Sequence, residues 1–135
     1  MNFFISYKYT GIPLDKLHMD IDSIMKIVKN YGNSYCNLYD DDHYKSNNFT
    51  TNEIMQHALN KLNESNYLII YVDGEIGEGM AIECGYACKM EIPCLLLIKN
   101  GVKSISLKAV VNNVIEYDDH SDMLVKLEDF LRYSL

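Results

Sequence analysis

Two apolar runs, Tyr67 to Val72 and Pro93 to Ile98, flank a small-residue segment that opens at Gly77, and neither run alternates with polar residues. A strand that is apolar on both sides needs cover on both faces, which a parallel sheet with helices above and below supplies. The rest of the chain follows the same alternation. Phe3 to Tyr7 is a short apolar run ending in Lys8-Tyr9-Thr10-Gly11-Ile12-Pro13, a glycine and proline break suited to a first strand feeding a loop. Leu14, Leu17, Ile21, Ile24, Met25 and Val28 recur at steps of three and four, marking an amphipathic helix over residues 14–30 that stops near Gly32. Tyr35 to Tyr39 reads as a weaker strand, and Asp40 to Asn48 as a polar loop. Capping chemistry at Thr50 or Thr51 opens a second helix bearing Met55, Ala58, Leu59 and Leu62 and ending near Asn63. A third helix covers Gly77 to Met90, a last short strand lies within Val110 to Tyr117, and Met123 to Leu131 closes the chain as a helix. This order predicts one α/β domain over residues 1–135: a doubly wound, Rossmann/flavodoxin-like parallel sheet of about five strands with flanking helices.

Composition narrows the function. At 135 residues and 48% hydrophobic content the chain has enough apolar material for one core. The formal charge is −7 and Arg132 is the only arginine, a poor endowment for gripping a nucleic acid polymer or an anionic membrane surface. No run approaches the roughly 20 apolar residues of a membrane span, and the N-terminus lacks the features of a signal peptide, so a cytoplasmic location is expected. Cys36, Cys84, Cys88 and Cys94 have no paired CxxC spacing, which predicts reduced core thiols and neither a zinc cluster nor a disulfide framework.

In a doubly wound sheet, ligands bind outside the carboxyl ends of the strands, where strand order reverses. That rule selects Tyr7 to Gly11, Asp40 to His43, Asp73 to Gly79 and Ile98 to Val102. Among these, Gly77 and Gly79 let backbone approach a ligand at a helix start, where unpaired N–H groups face outward. Glu83 then lies inside that helix among Met80, Ala81, Ile82, Cys84 and Ala87, with no cation beside it in the sequence. A surface glutamate and a buried functional one both fit, because no periodicity fixes its face. Asp73 at the end of the third strand is either a turn aspartate or the partner of Glu83. Two carboxylates in one crevice divide labour, since neighbouring charges push their pKa values apart, and glycosyl transfer uses such a pair. Tyr7 and His43 are further candidates, each with an ordinary packing or loop role as the alternative. The acids of Asp40 to Asp42 are read as solvated, not as metal ligands.

Ser65-Asn66-Tyr67 through Asp73, then Gly77-Glu78-Gly79-Met80-Ala81-Ile82-Glu83-Cys84-Gly85-Tyr86-Ala87, then Ile92-Pro93-Cys94, resemble the nucleoside 2-deoxyribosyltransferase superfamily, which includes the 2′-deoxynucleoside 5′-phosphate N-hydrolases. The resemblance implies that Glu83 is a nucleophile forming a covalent glycosyl-enzyme intermediate. It implies that Asp73 binds the base or assists its departure, that Tyr7 orients Glu83, and that His43 matches a histidine after strand two. Lys8, Thr10, Gly11, Gly77, Gly79 and Met80 would line the substrate. It implies no cofactor or metal, a nucleoside or nucleotide as the small-molecule partner, and a homo-oligomer, dimer or higher. The phosphate-binding serines and arginine of the nucleotide hydrolases are missing here, and Glu75 and Glu78 oppose an anion, so the reading leans to a nucleoside. Transferase and hydrolase both stay open. Phe4-Ile5-Ser6-Tyr7 also resembles the first strand of TIR domains, which would make the substrate NAD or leave a non-catalytic nucleotide-binding or signalling module.

Overall fold

A computed structural model describes residues 1–36 and 48–135. The expected loop residues Asp40 to His43, and His43 with them, lie outside the described residues. Five parallel strands form one sheet in the order β2-β1-β3-β4-β5. They are β1 (Asn2–Tyr7), β2 (Asn33–Cys36), β3 (Tyr67–Val72), β4 (Cys94–Lys99) and β5 (Asn113–Tyr117). The helices are α1 (Leu14–Val28), α2 (Thr51–Asn63), α3 (Glu78–Lys89), α4 (Ile105–Val110) and α5 (His120–Tyr133).

All of β3 is buried, as is β4 up to Ile98, which is why both read as unbroken apolar runs. Their side chains feed two cores. Phe3, Ile5, Ile69, Tyr71, Leu95 and Leu97 point to the face covered by α1 and α5. Phe4, Leu68, Ile70, Val72, Leu96 and Ile98 point to the face covered by α2, α3 and α4. The pairing registers Ile5↔Ile69 and Ile69↔Leu95 hold each set in line across the sheet.

The helix signals resolve as local chemistry. Thr50 is the N-cap of α2, and it forms a reciprocal capping box with Glu53. Asp119 caps α5 by accepting from the Asp122 N–H at 2.8 Å, so the closing helix starts three residues before the expected Met123. The expected strand Tyr35 to Tyr39 begins earlier, at Asn33, and is described as far as Cys36. Helix α4 has no counterpart in the sequence reading. It is a six-residue element in which Leu107 alone is buried, too short to show a period. Cys36, Cys84 and Cys94 are buried and Cys88 half-buried, all as free thiols. No helix among the described residues is long and apolar enough to cross a membrane.

Candidate functional site

Strand order reverses between β1 and β3, so the carboxyl ends of these two strands open a crevice. Two cavities lie there, and Tyr7 and Lys8 belong to the walls of both.

The larger cavity, about 560 Å³, is on the face covered by α2 and α3. Ser6 to Thr10 line one side, Thr51, Ile54 and Met55 at the start of α2 another, and Ile76 to Met80 with Glu83 a third. Its size falls within the roughly 300–1,000 Å³ of small-molecule sites. Helix α3 presents Met80, Glu83, Cys84 and Ala87 inward, an i, i+3, i+4, i+7 stripe. Glu83 is therefore the acid in an otherwise apolar stripe, and only 7% exposed. Its Oε1 accepts a hydrogen bond from the Ser6 hydroxyl at 2.8 Å. Burial pushes its carboxyl up from the ordinary 4.5 to about 7, with the Ser6 hydrogen bond pulling the other way. Among the described residues Ser6 is the one hydrogen-bond donor to this carboxylate, through Oε1.

Ser6 was not among the expected residues; Tyr7 was expected to orient Glu83. Strand geometry explains the difference. Successive side chains of β1 alternate between faces, so Ser6 follows Phe4 toward α3, while Tyr7 follows Phe3 and Ile5 and packs on the α1 side. Tyr7 still reaches the cavity wall, and its ring meets that of Tyr9 at 6.4 Å between centroids.

Asp73 is not brought together with Glu83. It lines the smaller cavity, about 120 Å³, on the α1 side. There Lys16 Nζ lies 2.7 Å from Asp73 Oδ2 and 2.7 Å from Asp20 Oδ2, bridging the two carboxylates. Tyr71 donates its hydroxyl to Asp20 at 2.7 Å. Tyr117 donates to the Val72 carbonyl at 2.9 Å and lies 3.3 Å from Asp73 Oδ1. Burial alone would lower the Lys16 ammonium, but hydrogen bonds and charge from Asp20 and Asp73 hold it above its ordinary value. Burial, then the Asp20 contact, drives the Tyr71 phenol strongly upward, so it stays a neutral donor. The expected pair of carboxylates thus lines two different cavities, with Asp73 held by Lys16 and within reach of Tyr117.

The remaining candidates separate cleanly. Lys8, Thr10, Gly77, Gly79 and Met80 line the larger cavity. Gly11 lies outside that wall; its φ of +80° makes it a turn residue. At Gly77 an added Cβ would stand 3.3 Å from Lys8 Cγ, a tight contact that the lysine side chain would have to relieve. Gly79 has open space around it. Among the described residues no group of three or more His, Cys, Asp or Glu is arranged to hold a metal ion.

No family model matches the sequence, and no curated protein matches it either. Solved structures match its fold. The CMP N-glycosidase BcmB of Clostridium botulinum superposes with a TM-score of 0.73 over 96% of this chain and 99% of its own, at 16% identity. A conserved protein from Enterococcus faecalis V583 gives 0.69 over 95% and 97% at 16% identity. The 2-deoxyribosyltransferase of Bacillus psychrosaccharolyticus gives 0.62 over 94% and 96% at 9% identity. The chain shares the fold of these three structures along nearly its whole length.

Proposed function

We propose that this protein cleaves or transfers at the N-glycosidic bond of a nucleoside or nucleotide, with Glu83 as the nucleophile. The observation that carries the reading is a buried carboxylate, Glu83, at the wall of a cavity of about 560 Å³, with one oxygen held by Ser6. Two of the enzymes that share the fold act at this bond type by their names, one on CMP and one as a 2-deoxyribosyltransferase.

In the proposed reaction Glu83 Oε2 bonds to the anomeric carbon as the bond from that carbon to the base nitrogen breaks. The bonding pair leaves with the base, which takes up a proton. The resulting glycosyl ester is opened by water in a hydrolase, or by the nitrogen of a second base in a transferase. A carboxylate suits this step because the sugar carbon becomes cationic in the transition state, and a low-polarity setting strengthens that attraction. Ile54, Met55, Ile76, Tyr7 and Tyr9 supply apolar and aromatic surface for base and sugar, and Thr10 and Thr51 supply hydroxyls. The reading includes a homo-oligomer, dimer or higher, as the family resemblance implies.

The test is chromatographic. The protein is incubated with deoxynucleosides, ribonucleosides, their 5′-monophosphates and NAD, with and without an added free base, beside Glu83→Gln. Base release that disappears in the variant supports the reading, and incorporation of the added base identifies a transferase. Release from NAD alone would favour the dinucleotide reading. No turnover of any compound would leave a binding module.

A further inference from the structure

We infer that the Lys8–Glu75 pair makes this site select nucleosides over their 5′-phosphorylated forms. The inference rests on the glycosidic reading of the larger cavity and adds to it Glu75, which lies outside that cavity's wall. Lys8 is the one cation among the described residues that line the cavity, set against the carboxylates of Glu78 and Glu83. Its ammonium is already matched, with Nζ 2.8 Å from Glu75 Oε2. Its stem lies over the residue that precedes α3, where an added Cβ at Gly77 would stand 3.3 Å from Lys8 Cγ and 3.7 Å from its Cβ. The lysine therefore stands on the boundary of the cavity with a carboxylate of its own chain as counter-ion. A phosphate entering here has to displace Glu75 and approach Glu78 and Glu83, whereas an uncharged nucleoside meets neither opposition. The net charge of −7 adds a field of the same sign. Glu75's side chain is 87% exposed, so water and salt weaken the pair. The result is a preference, adjustable by one residue.

The experiment uses Glu75→Gln, a substitution at an exposed position. In wild type, kcat/KM for a nucleoside exceeds that for its 5′-monophosphate. In Glu75→Gln the monophosphate-to-nucleoside ratio rises by about fivefold, the order expected for freeing one exposed ion-pair partner, and the rise shrinks at high salt. Calorimetric titration of the same two compounds into Glu83→Gln, with and without Glu75→Gln, makes the comparison without turnover. An unchanged ratio, or a wild type that prefers the monophosphate, overturns the inference while base release continues to uphold the glycosidic reading. A shifted binding ratio with no base release upholds the selectivity and overturns the glycosidic reading. Binding of neither compound overturns both.

Discussion

The Ser6 hydroxyl donates to Glu83 Oε1 at 2.8 Å, joining the end of β1 to the second turn of α3 across 77 residues of sequence. This contact does two things with one hydrogen bond. It holds one oxygen of the carboxylate in place, and it is the force opposing burial in setting the carboxyl's pKa. Ser6 is itself 1% exposed, so the pair is shielded from competing water.

Removing the hydroxyl separates these roles. In Ser6→Ala, Glu83 loses its donor and one restraint on its rotamer, and turnover is expected to fall by about 10- to 100-fold, in kcat more than in KM. The acidic limb of the pH profile should move upward in the same variant, because the lost hydrogen bond favoured the charged form. Steady-state kinetics at several pH values read both effects; a rate loss with an unmoved limb would mean that Ser6 acts only through packing.

The pH profile of the unaltered protein follows from the same carboxyl. In the proposed reaction only the deprotonated form attacks carbon, and burial moves the proton's release from 4.5 to about 7. kcat/KM should therefore fall about tenfold per unit below this value and level off above it. A limb near 4.5 in measured kcat/KM would show that solvent reaches Glu83 in the working protein.

Much of this arrangement is legible in the residues. The apolar runs at Tyr67 and Cys94 state that their strands are covered twice, and the element order then yields the sheet and its crevice. The face of Glu83 is not legible, because α3 carries apolar Ile82 and Ala81 on its exposed side as well, which removes the contrast that a periodic pattern needs. Ser6 was within reach: alternation along Phe3-Phe4-Ile5-Ser6-Tyr7 puts Ser6 and Tyr7 on opposite faces, and only one face carries α3. The ion pair of Asp73 is with Lys16, which reaches it from α1 and also holds Asp20, a contact of long range that no local pattern encodes.

Burial of Glu83 has a thermodynamic signature. Its native pKa lies above the unfolded value of 4.5, so between 4.5 and about 7 the native state binds more protons, and stability falls as pH rises through that window. The rise from 4.5 to about 7 corresponds to on the order of 3 kcal/mol at full ionisation. Glu83→Gln removes the charge and keeps the shape. It should be more stable than wild type by roughly 1–3 kcal/mol at about pH 8, with the difference closing near pH 4–5. Urea unfolding at the two pH values measures this, and equal stability at both would mean that Glu83 is paid for by a contact elsewhere.

Asp73 offers the sharpest contrast with Glu83. Its carboxylate holds Lys16 and receives Tyr117, on the far side of Tyr7 and Lys8 from the larger cavity. In Asp73→Asn the amide oxygen can still accept from Tyr117, and Tyr117 keeps its bond to the Val72 carbonyl. The lost Lys16 pair is partly exposed, with side chains 52% and 30% accessible, so the cost is about 1 kcal/mol or less. Turnover should fall by less than about tenfold, against at least about a thousandfold for Glu83→Gln. If Asp73 instead protonated the departing base, Asp73→Asn would cost about 10²- to 10⁴-fold in kcat with little change in thermal stability. Measuring kcat and Tm on the two variants side by side decides between an anchor of the β3–α3 turn and a group that touches substrate.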